Sequence, residues 1–214
     1  MTGSFELPMF PLSTVVFPHQ RVPIHVFEPR YRQLVEDVHA NDGRFGICLI
    51  SHGSEVGGGD ERVNIGTLVE LSAVFPFSDG RSMLVVEGHE RIQVLKWLED
   101  CPYPRALVEE LPTDEEATDT ALLSTTETAV RALRMLHSEM HPESCIERDC
   151  DFASESCERV WQLCAVTPMA TLDQLKLLSK ESCDTRLRLL AEICCERYGD
   201  LTRQLALDQA LEES

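Results

Sequence analysis

Residues 63–95 read VNIGTLVELSAVFPFSDGRSMLVVEGHERIQVL. Val63 to Phe75 and Ser82 to Leu95 are long strand candidates, and Ser78-Asp79-Gly80-Arg81 between them carries the Asp-Gly pair that turns a hairpin. The proline in Phe75-Pro76-Phe77 argues against a regular, fully paired strand at that end. A hairpin of this length needs further strands beside it, which the flanking segments supply.

Upstream, Phe45 to Ile50 is a continuous apolar run of the kind found in a buried strand. Before it, Glu28 to Ala40 changes period: Tyr31, Leu34, Val35 and Val38 share one helical face, with Pro29 in the first turn and Asn41-Asp42-Gly43 as the stop. Val22 to Phe27 is a short strand. Leu7 to Leu12 is another, placed by Pro8 and Pro11 at an edge or rim. Downstream, Tyr103 to Leu111 supplies the last strand. Five or six strands around one short helix predict a closed or nearly closed small barrel.

After Pro112 the strand signals stop, so the expected organisation is a β-rich domain at 1–112 and a helical bundle at 113–214, an α+β class. Thr113-Asp114-Glu115-Glu116 reads as a capping box opening a helix whose face is Leu122, Ala129, Leu133, Leu136 and Met140. Val160, Leu163 and Cys164 mark a second helix. Thr171 to Gln174 caps a third, with Leu172, Leu175 and Leu178 inward. Asp184 caps a fourth carrying Leu187, Leu190, Ala191 and Cys194, which Gly199 stops before a last helix at 200–211.

The chain has 214 residues, 37 acidic against 19 basic side chains and a formal net charge of -18. That balance disfavours phosphate attraction, hence nucleic-acid partners, and docking on anionic membranes. No run approaches a membrane span, Met1 to Glu6 shows no basic-then-apolar leader, and nine cysteines include the adjacent pair Cys194-Cys195. Reduced thiols and a cytoplasmic location are the expectation.

Seven ordered blocks in the first half carry a family pattern. They are Leu7-Pro8-Met9-Phe10-Pro11-Leu12; Val15-Val16-Phe17-Pro18; Val22-Pro23-Ile24-His25-Val26-Phe27-Glu28-Pro29-Arg30-Tyr31; Phe45 to Ile50; Ile65-Gly66-Thr67; Asp79-Gly80-Arg81; and Val86-Glu87-Gly88-His89-Glu90-Arg91-Ile92. Together they resemble the substrate-binding domain of Lon proteases in its free-standing form. The resemblance implies a PUA-like pseudo-barrel followed by a helical bundle, a region that in full-length Lon helps to recognise unfolded or tagged substrates and to assemble the oligomer. Where the family usually has glycine after Phe-Pro, this chain has His19, so a turn of positive φ there is expected to be absent or strained.

No catalytic machinery is legible. Gly57-Gly58-Gly59 has no following lysine and makes no P-loop, and none of Lys96, Lys176 and Lys180 sits in the protease's serine–lysine context. His137 and His141 stand one helical turn apart with Cys145 and Cys150 following, a candidate zinc set without a Cys-x-x-Cys knuckle; ordinary surface histidines and thiols are the plainer reading. No cofactor is expected. Cys150, Cys157 and Cys164 recur every seven residues, as small positions on a packed helix stripe do. Glu28 and Arg91 suggest a structural ion pair, or a carboxylate at a helix start.

The candidate contact surface is apolar: Phe75, Pro76 and Phe77 at the hairpin end, either forming a lip for peptide segments or folding back under the helical half to close the interface between the two halves, with Trp97 and Tyr103 raising the same question around Cys101-Pro102. The expected function is a non-catalytic module that binds unfolded or degron-bearing polypeptides and presents them to an ATP-dependent protease or chaperone, with oligomeric state open. A small-molecule or RNA-binding regulatory module is the alternative, and an enzyme the least supported class.

Overall fold

The computed structural model describes residues 3–52, 61–112, 118–142 and 151–212. It divides into two compact units, Met1–Thr113 and Asp114–Ser214.

Among the described residues the first unit holds six strands and one helix: β1 Phe5–Leu12, β2 Arg21–Val26, α1 Pro29–Ala40, β3 Arg44–His52, β4 Glu61–Pro76, β5 Ser82–Trp97 and β6 Arg105–Glu110. The sheet order β2-β5-β4-β3-β1-β6, with a further β5–β6 pairing, closes a ring. Closure depends on the length of β5: its leading residues 82–87 face β2, and its trailing residues 92–97 face β6. All neighbours are antiparallel except β1 and β3.

The prolines of β1 do not put it at an edge. Residues 5–8 pair with β6 and 9–12 with β3, so β1 lies inside the ring and exchanges partners halfway. Each half then carries a ladder on one side, which leaves Pro8 and Pro11 a side where no N–H is required. The apolar runs of β1, β3 and β4 are continuous because each feeds two clusters on opposite faces. Met9, Cys48 and Leu68 join Leu7, Ile92, Val94, Ala106 and Val108; Phe10, Ile47 and Val69 join Phe45, Leu84 and Val86 under α1. The four residues expected on the inner face of α1, Tyr31, Leu34, Val35 and Val38, are those buried, and Phe10 stacks on Tyr31 with ring centroids 4.1 Å apart.

The turn before β2 is present despite His19, which adopts φ 60°. Gln20 N donates to Phe17 O at 3.2 Å, Phe17 N donates to Gln20 Oε1 at 2.9 Å, and two further bonds dock the turn on β5: His19 N to Gly88 O, 2.7 Å, and Gly88 N to Gln20 O, 2.9 Å. A Cβ on Gly88 would lie 2.2 Å from Phe17 O, so this approach requires glycine.

The second unit contains α2 Thr120–Met140, α3 Ser156–Val166, α4 Thr171–Leu178 and α5 Cys183–Glu212. Several sequence expectations are corrected here. The box at 113–116 falls outside the described residues, and α2 is capped by Asp119, whose carboxylate accepts from Ala121 N and Leu122 N. Its buried face is Leu123, Thr126, Val130, Leu133, Arg134 and Leu136, about one position round from that expected. Thr171 is the first helical residue of α4, not its cap; Leu177 and Leu178 are buried and Leu172 is exposed. Ser182 exchanges bonds with Thr185 at the start of α5, while Asp184 accepts from Asp119 N. Gly199 does not stop α5, which runs on as one helix, because a helical glycine costs only about 1 kcal/mol.

Candidate functional site

The pairing register assembles an apolar strip on the outer face of the β2–β5–β4 corner. Ile24, Leu84 and Val74 form one cross-strand row, and His25, Met83 and Phe75 the next. The first points into the cluster under α1; side chains alternate across a strand, so the second points outward. Pro23, Val85 and Ala73 make a further outward row. Ile24 and Leu84 are buried, whereas Phe75 is 54% exposed.

The strip continues into the turn. Phe77 is 43% exposed and its ring lies parallel to that of His25, centroids 6.5 Å apart. The hairpin tip is fixed by Phe77 N to Arg81 O at 2.8 Å, Gly80 N to Phe77 O at 3.1 Å and Asp79 Oδ1 accepting from Arg81 N, with Gly80 at φ 82°. Phe27, immediately after β2, is 45% exposed. Among the described large apolar residues exposed in this unit, three of four belong to this end; Leu95 is the other. Alongside the strip runs the outer edge of β2, which has no second neighbour among the described strands.

Phe75, Pro76 and Phe77 are therefore exposed, as a lip would require. The expected irregularity is absent, however: Pro76 is the last residue of β4 and stands opposite Ser82, where the ladder can end without a donor. Trp97 lies at the other end of β5, half-buried, donating from Nε1 to Asn64 Oδ1 at 3.0 Å beneath the Arg62 guanidinium. Tyr103 is core, 8% exposed, with its hydroxyl donating to Asp37 Oδ2 at 2.7 Å. Neither joins the exposed strip at Phe75 and Phe77.

Met83, Val85 and Pro23 were not singled out from the sequence as contact residues. The signal was the run Met83-Leu84-Val85-Val86, in which alternate residues go to the core and the others have no reason to be apolar unless something covers them.

A cleft of about 700 Å³ opens elsewhere on the same unit, between β1, α1 and β6. Glu6, Asp37, Asp42 and Glu110 line it against Arg44, with Leu7, Leu68 and Tyr103 as apolar wall. The Tyr103 hydroxyl, then Gln33, holds the Asp37 carboxyl below its usual range. Burial, reinforced by Asp37, pushes the Tyr103 phenol up to about 12, so it keeps its proton at neutral pH and is no nucleophile there. The cleft is suited to hold a cationic group.

Most residues of the family blocks build the frame. Leu7, Phe10, Phe17, Tyr31 and Arg91 are buried, and Pro11, Pro18, Gly66 and Gly88 likewise. Glu28 is bridged by Arg30 at 3.1 Å, and Arg91 instead donates to Pro112 O, so the suspected Glu28–Arg91 pair does not form: the cation two residues away reaches the carboxylate first. The rings of His137 and His141 lie 4.6 Å apart; Cys145 and Cys150 are outside the described residues. Among the described residues no three metal-ligating side chains converge, and no helix is long and apolar enough to cross a membrane.

Residues 6–196 match the family described as the ATP-dependent protease La (LON) substrate-binding domain. A Lon protease of Dictyoglomus thermophilum is 34% identical over 113 residues, which cover 52% of this chain and 14% of that protein. A LON peptidase N-terminal domain and RING finger protein of Schizosaccharomyces pombe is 25% identical over 115 residues, 48% of this chain and 24% of that protein. The aligned region thus spans about a seventh of the Lon protease and a quarter of the RING finger protein. Among solved structures, a Lon N-terminal domain protein from Xanthomonas campestris superposes with TM-score 0.63 at 24% identity, covering 87% of this chain and 96% of that one. The N-terminal domain of Mycobacterium avium complex Lon protease gives 0.62 at 18%, covering 89% and 98%. With the family matched across nearly its whole length and the fold shared with two Lon N-terminal domains, the chain belongs to the LON substrate-binding domain family.

Proposed function

We propose that this chain is a non-catalytic polypeptide-binding module that captures extended, apolar segments of unfolded or degron-bearing proteins and presents them to a separate ATP-dependent protease. The observation that carries this reading is the outward row His25–Met83–Phe75, extended by Phe77, beside the open edge of β2. A client strand added to that edge would gain main-chain hydrogen bonds while its alternate side chains lie over the strip. The family's description as a substrate-binding domain supports the same reading. The negative charge favours clients with basic residues flanking the apolar segment.

The test is binding of fluorescently labelled, permanently unfolded polypeptides to the wild type and to a Phe75→Ala/Phe77→Ala variant. Covering the exposed half of each ring removes roughly 100 Å² of apolar surface from water, worth about 2–3 kcal/mol per ring before the costs of ordering the client. The variant is expected to weaken capture at least tenfold while remaining folded. Unchanged affinity refutes the strip as the binding surface. The anionic cleft favours a second reading, a regulatory site for a small cationic ligand; thermal shift with polyamines distinguishes it, because Phe75 and Phe77 do not line the cleft.

A further inference from the structure

The helical unit contains an arrangement of thiols that polypeptide binding does not use. Cys157 lies in the first turn of α3 and Cys183 opens α5, 26 residues later, yet their Sγ atoms are 3.3 Å apart. Non-bonded sulfurs at that distance must approach by roughly 1.3 Å to reach bonding length, a movement within the reach of side-chain rotation. Cys183 is buried whereas Cys157 is partly accessible, so an oxidant meets one sulfur and the second waits behind it.

The surroundings set this pair apart from the other thiols. Arg186 is buried in the core at 1% exposure, stacked 3.7 Å over the Trp161 ring and donating to Leu177 O at 3.1 Å and Lys180 O at 2.5 Å. Its Nη1 lies 3.8 Å from Cys183 Sγ, which places a fixed positive charge beside the sulfur that must attack as an anion. Cys164 and Cys194 are also buried, and burial pushes both thiols up to about 12, which keeps them protonated. The exposed Cys101 and Cys195 are accessible, but among the described thiols neither is placed against a partner as Cys157 is.

We propose that Cys157 and Cys183 are a peroxide-responsive modification site, forming a reversible intrachain disulfide that ties the start of α3 to the start of α5. The Cys157 thiolate attacks the peroxide, its sulfur gaining a hydroxyl and the O–O bond breaking with loss of hydroxide. The Cys183 thiolate then attacks that sulfenyl sulfur; the S–S bond forms, the S–O bond breaks and a second hydroxide leaves. With the two thiol protons the balance is two thiols and one peroxide giving one disulfide and two waters. A dithiol reverses it by exchange. The disulfide closes a 26-residue span and restrains the unfolded chain, so oxidation stabilises the helical unit. The inference is independent of the polypeptide-binding reading and survives its failure.

The full-length protein, reduced and then treated with stoichiometric hydrogen peroxide, is alkylated without reduction and digested with trypsin. The expected product is a cross-link between the peptides 149–159 and 181–186, with the parent losing two hydrogens and remaining a single chain. Its melting temperature rises by roughly 5–15 °C and returns on dithiothreitol treatment. Because Cys150 shares the first peptide, Cys157→Ser decides the assignment: both cross-link and thermal shift must vanish, while Cys150→Ser and Cys195→Ser retain them. A Cys157→Ser protein that melts like the reduced wild type shows that the substitution itself leaves the fold intact; should it not fold, Cys183→Ser serves in its place. No cross-link in the wild type, one formed only between chains, or a thermal shift that persists in Cys157→Ser overturns the proposal.

Discussion

Gly88→Ala tests how β2, and with it the exposed strip, is held to the ring. The added Cβ would lie 2.2 Å from Phe17 O, 3.1 Å from Phe17 C and 3.4 Å from Pro18 Cα. All three are main-chain atoms, so no side chain can swing aside; the turn at 17–20 has to retreat by about 1 Å to reach ordinary contact. That retreat strains or breaks the bonds from His19 N to Gly88 O and from Gly88 N to Gln20 O, each worth about 0.5–1.5 kcal/mol. Overpacking adds about 1–3 kcal/mol where the shift is incomplete. The expected loss is about 3 kcal/mol, a large share of the roughly 5–15 kcal/mol that holds a domain together. Urea unfolding followed by circular dichroism should show a lower midpoint at an unchanged slope, and polypeptide capture should fall with it, since the displaced turn leads directly into β2. A loss below about 1 kcal/mol would show that the turn absorbs a methyl group, and the docking described for Phe17 and Gly88 would then be wrong.

Three other substitutions probe separate features. At His19, held at φ 60°, glycine is expected to leave stability unchanged or raise it by up to about 1 kcal/mol, and valine to lower it by about 2 kcal/mol; a valine variant as stable as the glycine one refutes the strained turn. Gly199→Ala, in the interior of α5 with Arg203 Nη1 3.6 Å from the new Cβ, should raise the urea midpoint by an amount equivalent to about 0.5–1 kcal/mol, and no gain would mean the helix is interrupted there after all. Tyr103→Phe removes the hydroxyl that depresses the Asp37 carboxyl and is itself raised to about 12. A depressed carboxyl contributes stability above its unfolded value, near 3.8, and loses it as pH falls through the lower folded value; a raised phenol contributes below about 10 and loses it as pH rises toward 12. The stability gap between wild type and variant should be widest at neutral pH and narrow in both directions, and a pH-independent gap in urea unfolding refutes the pairing.

What was legible in the sequence follows the range of the interactions responsible. The helical period of Tyr31, Leu34, Val35 and Val38 and the Asp79-Gly80 turn are local signals, and both stand as read. A local signal also misled where the surrounding helix outweighed it: α5 runs through Gly199 because the rest of a 30-residue helix outweighs one poor residue. The strip could not be read in full, because His25 joins Phe75, Met83 and Phe77 only through the β2–β5 register, between residues more than fifty apart in the chain. The contact of Cys157 with Cys183 is further still from the sequence, since it depends on how α3 and α5 pack rather than on either helix alone.

The same length of β5 that made the barrel closable also creates the open edge on which the proposed client strand would bind. Because residues 92–97 are taken by β6 and residues 82–87 by β2, β2 is carried outside the closed ring and ends the sheet. Proteins usually protect such an edge with charge, a bulge or a covering element. Here Pro23 interrupts the donors of β2, and the side chains beside the edge are the exposed or half-exposed Phe27, Met83, Phe75 and Phe77 rather than lysines. Arg21, ion-paired to Glu87, and Pro23 guard the first half of β2 in this way, whereas the apolar side chains gather beside its second half, where a partner strand would bond on the residues after Pro23. The closed ring explains why this edge exists at all, and the side chains retained beside it are the strongest reason to place polypeptide capture there rather than in the anionic cleft.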